Sequence, residues 1–376
     1  MKRYLEDIIA KDLHRKMVLI AGPRQVGKTF LARNIMSTFG KPQYLNYDSP
    51  HDVRIIESQT WWSASDILVF DEIHKMKGWK PFLKGVVDSK ETGQSILVTG
   101  SARLDTFRQA GESLAGRYFS FHLHPLSPRE LADQMSPQDA LSRLNTLGGF
   151  PEPFLSGSET EAKRWRNQYF TDLIREDILD FSRIQEVRTM RLLVEMLRSR
   201  VGSPLSCAAL AEDLKVAPNT IRSYLDILES LHVIFLVRPF HANVARAIQK
   251  EPKLYFYDSG YVDGQPGSSL ENTVAVCLRK HVDFLRESQG ENIQLHYLRT
   301  KDKREVDFAL AKDGAVTTLL EVKQSDDTPA ASLKYFLQGL PGLTAYQLVE
   351  NLRQPRSFGN LHVVRAAEWL AGNLAA

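Results

Sequence analysis

The chain has 376 residues, 43% of them hydrophobic and 25% charged, with a formal net charge of +3 and two cysteines, Cys207 and Cys277. That length suggests several domains, and the composition excludes disordered, collagen-like and disulfide-stapled classes. Apolar runs stay short of the about 18 residues that cross a bilayer, and the opening MKRYLEDIIAKDLHRK has no leader-like apolar core. A cytoplasmic protein without a membrane partner is therefore expected, and the small net charge still leaves room for a local basic surface.

In chain order, residues 5–13 space their apolar positions like an amphipathic helix. The stretch 17–32, MVLIAGPRQVGKTFLA, follows. It holds an apolar run predicted as a buried strand, then Gly22, the four residues Pro23, Arg24, Gln25 and Val26, then Gly27, Lys28 and Thr29, with a helix from Phe30. The glycines let the backbone turn its N–H groups toward a phosphate chain, and the helix points its positive end at the same anion. Lys28 is expected to reach the outer phosphates and Thr29 to offer its hydroxyl to Mg²⁺, so ATP and Mg²⁺ are the expected cofactors. Residues 43–47 alternate like a strand and end in a turn at Asp48, Ser49 and Pro50.

ILVFDEIH at 67–74 is an apolar run ending in two acids. Asp71 is expected to hold Mg²⁺ through water or Thr29, and Glu72 to polarise the attacking water. SILVTGS at 95–101 is a third buried strand; Thr99 or Ser101 is placed either to sense the γ-phosphate or to cap the next helix. Three such strands separated by helical stretches predict a parallel sheet in an α/β fold, with ligands at the carboxyl ends of its strands. Arg103 and Arg117 follow. Arg117 is the preferred arginine finger, acting across a subunit boundary, and an internal ion pair is the alternative.

GPRQVGKT, VFDEIH, VTGSAR and SLAGRYFSFHLHPLSPRE together resemble the bacterial and archaeal AAA-superfamily ATPases whose carboxyl-terminal region is a PD-(D/E)xK nuclease-like domain. The resemblance implies an AAA-type P-loop core over residues 1–150, a helical lid over 151–190, a winged helix-turn-helix over 191–250 and an α/β nuclease-like domain over 251–376. It also implies self-association into an oligomer such as a hexamer.

The second half carries its own signals. LGGFPEP at 147–153 reads as a turn-rich break, and 159–200 as polar helix with scattered arginines. Within 205–231, Leu210, Leu214, Ile221, Leu225 and Leu228 fit two short helices around a break at Val216, Ala217 and Pro218, followed by a wing strand at 232–239. The second helix would show Asn219, Arg222, Ser223 and Asp226, which leaves DNA contact and a packing role both open. KLYFYD at 253–258 reads as a strand, 264–269 as a loop, and 270–280 as a helix with Glu271 in its first turn.

EVDFAL at 305–310 and LLEVK at 319–323 read as a hairpin that brings Asp307, Glu321 and Lys323 together. Asp, then Glu-x-Lys on the adjacent strand, is the layout of PD-(D/E)xK nucleases. Asp307 and Glu321, completed by Glu271, are expected to hold Mg²⁺, and Lys323 to position water. Arg299, Lys301, Lys303 and Arg304 precede this hairpin as a basic loop suited to a phosphate backbone. The expected activity is a Mg²⁺-dependent ATPase that binds DNA and couples hydrolysis to its remodelling or translocation, as a helicase or in junction branch migration, with a nuclease site. The rival is an ATP-driven switch that binds a protein partner and does not cut DNA. A third reading is a nuclease that uses ATP only for assembly.

Overall fold

The computed structural model describes residues 1–100, 114–173, 184–241, 250–340 and 342–376. Two compact units emerge: residues 1–124 with 230–232, and residues 125–229 with 233–376. Ser101, Arg103, Arg175 and Arg183 lie outside the described residues.

The first unit is built on five parallel strands: β1 (Met17–Ala21), β2 (Pro42–Asn46), β3 (Ile67–Asp71), β4 (Ser95–Thr99) and β5 (Tyr118–His122), in the order β2-β3-β4-β1-β5. The three inner strands are buried along their whole length, whereas the edge strands β2 and β5 are only partly covered. This is why the inner three read as unbroken apolar runs. Helices α1 (Glu6–Leu13), α2 (Lys28–Met36), α3 (Pro50–Ser58) and α4 (Trp79–Ser89) alternate with these strands. Ser49 opens α3 by accepting the Asp52 N–H, with Pro50 as its first residue. Leu19, Leu68, Phe70, Leu83 and Val98 join in one core cluster. Because β4 lies between β1 and β3, the carboxyl ends of all three stand side by side.

The second unit holds a mixed eight-stranded sheet, β12-β13-β11-β10-β9-β8-β6-β7. Its members are β6 (Ile234–Pro239), β7 (Lys253–Phe256), β8 (Ile293–Arg299), β9 (Glu305–Lys312), β10 (Ala315–Lys323), β11 (Thr344–Val349), β12 (Arg356–Phe358) and β13 (Leu361–Arg365). The two helices expected before the wing are present as Cys207–Leu214 and Pro218–Ser230. The strand after them does not end in a free wing. β6 pairs antiparallel with β7, and its end at Arg238 and Pro239 joins β8 of the large sheet.

Two boundaries differ from the sequence reading. The helix expected at 270–280 runs from Pro266 to Gln289, so Glu271 stands in its second turn. Pro266 and Gly267 read as loop residues, yet proline suits the first helical position, where its missing N–H has no intrahelical partner anyway. Residues 125–150, read with the ATPase core, pack in the second unit. The Leu147–Gly148–Gly149 turn admits a buried ion pair: Arg166 Nε donates to Asp258 Oδ2 at 2.7 Å and Nη2 to the Leu147 carbonyl at 2.5 Å. A Cβ on Gly148, already at φ +81°, would sit 1.6 Å from Asp258 Oδ1. Its glycine is required by that carboxylate as well as by the turn.

Candidate functional site

At the end of β1 the chain curls into the phosphate loop. Gly22 adopts φ +137°, and a Cβ there would lie 2.4 Å from the Leu123 carbonyl oxygen; Gly27 adopts φ +100°. Only glycine fits both demands at Gly22. The loop is fastened from outside by Arg3, 2% exposed, whose guanidinium donates to the Val26 carbonyl at 2.8 Å and to the His124 carbonyl at 2.6 Å. Lys28 opens α2 and folds over the loop, its ammonium donating to the carbonyls of Gly22 (2.9 Å) and Pro23 (2.6 Å). These main-chain bonds hold the cation at the mouth of the loop, where a phosphate chain would meet it. Pro23, Arg24, Gln25 and Val26 form the loop between the glycines, Gln25 at φ +57°. Phe30 is 52% exposed on the first turn of α2.

Strand order brings the second motif to the first. Thr29 Oγ1 donates to Asp71 Oδ2 at 2.8 Å, and Thr99 Oγ1 donates to Asp71 Oδ1 from β4. Asp71 is 3% exposed. A hydroxyl and a carboxylate in contact, beside a phosphate loop, are the donor set that holds Mg²⁺ in such sites. Thr29 and Asp71 would hold the ion, which would neutralise charge on the outer phosphates.

Tyr44, on β2, was missed by the sequence reading. Its phenol donates to Asp71 Oδ2 at 2.5 Å, and the Arg33 guanidinium lies 5.1 Å from its ring centroid. Burial raises the Tyr44 phenol well above its ordinary value and Asp71 adds to the shift, so it remains a donor. The alternation of QYLNY marks a strand, but the contact depends on β2 lying beside β3, which no local spacing records. Outer partners of metal-binding carboxylates orient them. Tyr44→Phe is therefore expected to raise the Mg²⁺ concentration for half-maximal ATP turnover by about tenfold. An unchanged Mg²⁺ titration removes Tyr44 from the site.

Glu72 follows Asp71 with φ +58°, a left-handed conformation that turns it out of the strand, while its N–H donates to the Thr99 carbonyl at 3.0 Å. Its carboxylate has Lys75 Nζ at 3.4 Å and His74 Nε2 at 3.7 Å, and Lys75 also reaches Asp48 at 2.7 Å. Burial pushes the Glu72 carboxyl above its ordinary value, opposed by Lys75 and by Lys28. A partly desolvated carboxylate of raised basicity suits a group that orients and polarises water.

Arg117 is placed elsewhere. It precedes β5, whose first residue, Tyr118, pairs with Met17, the residue of β1 farthest from the loop. At about 3.3 Å per residue, β1 separates its ends by roughly 13 Å. Arg117 instead forms a two-point ion pair with Asp88 at 2.8 and 3.1 Å. It does not serve the phosphate loop of its own chain.

The second unit gathers the carboxyl-terminal residues. The β9–β10 hairpin is present in antiparallel register, Phe308 opposite Leu320. Asp307 Oδ2 accepts the Val322 N–H at 2.9 Å, and Lys323 Nζ donates to Glu321 Oε1 at 2.7 Å. Glu321 is 6% exposed and its Oε2 is buried with no hydrogen-bond partner. Glu271, expected as the third acidic ligand, accepts from the Tyr255 phenol at 2.8 Å and faces Lys253 at 3.7 Å. Burial, with Asp307 next, pushes the carboxyls of Glu271 and Glu321 up to about 7. Among the described residues, no three His, Cys, Asp or Glu side chains are arranged to hold a metal ion between them. Glu271, Glu305 and Asp307 converge on the Lys253 ammonium instead.

Residues 14–132, which carry this loop and its acidic strand end, match the model of an AAA domain family. The first unit carries an AAA-type P-loop ATPase core. Residues 138–263 and 266–368 match two domains of unknown function, DUF8612 and DUF4143. An uncharacterized protein of Mycobacterium tuberculosis is 32% identical over 255 residues, 67% of this chain and 56% of that protein, so the match spans little more than half of that relative's length. One from Haemophilus influenzae is 22% identical over 83% of each chain. Among solved structures, the Walker-type ATPase paby2304 of Pyrococcus abyssi aligns at 13% identity and TM-score 0.44, covering 72% of this chain and 94% of that one. RuvB of Thermotoga maritima aligns at 18% identity and TM-score 0.31, covering 61% and 86%. Among the described residues, no helix is long and apolar enough to cross a membrane.

Proposed function

We propose that this chain hydrolyses ATP with Mg²⁺ at the phosphate loop and uses that cycle to remodel or move DNA held by its second unit. Lys28 would bind the outer phosphates, Thr29 and Asp71 the ion, and Glu72 the attacking water. We assign residues 151–190 to a helical lid, 191–250 to a winged helix-turn-helix whose wing strand, β6, is taken up into the large sheet, and 251–376 to a nuclease-like domain. The observation that carries the DNA part is the buried, unpartnered Glu321 Oε2 beside Asp307, on a hairpin preceded by a basic loop. An orphaned buried carboxylate oxygen costs free energy unless a cation completes it. Asp307 and Glu321 fit a divalent ion that engages a phosphodiester, and Lys323 would hold a water beside it.

The basic loop supplies the sequence-independent grip. Arg299, Lys301, Lys303 and Arg304 lie at the β8–β9 connection, and Arg304 lies over the Tyr335 ring at 4.4 Å. Each duplex phosphate neutralised by a cationic side chain contributes about 0.9 to the slope of log K against log salt. Replacing all four residues with Gln should flatten that slope by up to about 3.6, read by fluorescence anisotropy with duplex DNA. A parent chain that ignores DNA at low salt moves the reading to a protein-binding switch.

We further propose that Arg117 acts in trans within an oligomer, leaving Asp88 to reach the nucleotide of a neighbouring copy. Arg117→Ala and Lys28→Ala chains should each be nearly inactive in ATP turnover, and mixing them should restore activity, because mixed interfaces unite an intact loop with an intact arginine. Full turnover by Arg117→Ala alone would leave that residue as a solvent-exposed ion pair with Asp88.

A further inference from the structure

The carboxyl-terminal cluster already contains a cation. Lys253, the first residue of β7, is 1% exposed, and its ammonium stands 2.8 Å from Glu305, 3.3 Å from Asp307 and 3.7 Å from Glu271. All three acids converge on this one ammonium. Glu271 is fixed there from two further sides. The Tyr255 phenol donates to its Oε1, and a Cβ on Gly202 would lie 2.6 Å from the same oxygen.

Charge counting shows what is left over. With all four carboxyls ionised, the state in which they can balance a bound cation, Glu271, Glu305, Asp307 and Glu321 supply four negative charges, and the ammonium groups of Lys253 and Lys323 supply two positive ones, leaving two negative. Arg299, 3.6 Å from Glu305 at the rim, reduces the excess to one. One divalent ion balances either count within a single charge, whereas two overshoot both counts. Uncompensated buried charge of either sign is strongly unfavourable.

We infer that Lys253 is a built-in counter-ion occupying the position of a second metal ion, so that the cluster binds a single divalent cation, at Asp307 and Glu321. This rests on the metal-site reading of the previous subsection. Glu271 and Glu305 then serve to cage the ammonium and do not ligate the ion. An ammonium cannot exchange with solvent, so this half of the site carries the same positive charge whatever the Mg²⁺ concentration.

The test counts Mn²⁺ bound to the nucleotide-free full-length chain by electron paramagnetic resonance. The same count is made on the Asp307→Ala/Glu321→Ala chain, and the difference between the two isolates the cluster from the phosphate loop. The inference requires a difference of one ion per chain. A difference of two overturns it while keeping the metal site; a difference of zero removes the metal-site reading itself. Lys253→Gln, checked for folding by circular dichroism, should bind one more ion than the parent. A folded Lys253→Gln chain with an unchanged count overturns the inference, and if that variant does not fold, the parent difference decides.

Discussion

Glu72→Gln is expected to slow ATP turnover by about 10²- to 10⁴-fold, the usual contribution of a positioned base, while nucleotide affinity stays within a few fold of the parent. The amide keeps the shape of the side chain and its place after Asp71 but cannot accept a proton from water. Binding depends on different groups: the loop N–H groups, the Lys28 ammonium, which now donates to the carbonyls of Gly22 and Pro23, and the Thr29–Asp71 pair at 2.8 Å. Phosphate release measured beside the binding of a fluorescent ATP analogue separates the two effects. Full turnover would exclude Glu72 from the reaction. Parallel loss of binding and turnover would mean that it builds the pocket.

Arg166→Met is expected to destabilise the second unit by about 3–5 kcal/mol, the cost of breaking a buried ion pair from one side. Asp258, 2% exposed in the parent, would keep only its hydrogen bond to the Gly260 N–H at 3.1 Å. Burial already pushes the Asp258 carboxyl above its ordinary value despite the arginine beside it. The same substitution strips the donor from the Leu147 carbonyl. Chemical denaturation of parent, Arg166→Met and Arg166→Met/Asp258→Leu chains tests this. The double variant should recover much of the loss, since it no longer buries a lone charge. Equal stability of parent and single variant would show that the pair is not coupled to folding.

The two pockets differed in how far the sequence revealed them. The phosphate loop was legible because its chemistry is contiguous: Gly22 through Thr29 need one another at fixed spacing along the chain. Asp71 and Glu72 were legible because an apolar run that ends in acids implies a strand end. Thr99 was ambiguous and Tyr44 was missed, for one reason. Their contacts to Asp71 are set by β2 and β4 flanking β3, and strand order leaves no local periodicity. Asp307, Glu321 and Lys323 could be read from alternation across a hairpin. Lys253 could not, because it reaches that hairpin from β7, on the other side of β6 and β8 in strand order. LGGFPEP looked like a domain break because glycine usually marks turns. Gly148 is glycine for a second reason, the carboxylate of Asp258 standing where a Cβ would be.

The most direct test of the whole account is steady-state ATP turnover by the full-length chain in Mg²⁺ at low salt, measured alone and with single-stranded, duplex and four-way-junction DNA. Coupling between the two units requires turnover to rise with at least one of these DNAs, to fall back as salt is added, and to vanish in Glu72→Gln. Turnover that is the same with every DNA and without it, in a chain that binds none of them, would contradict the proposed coupling.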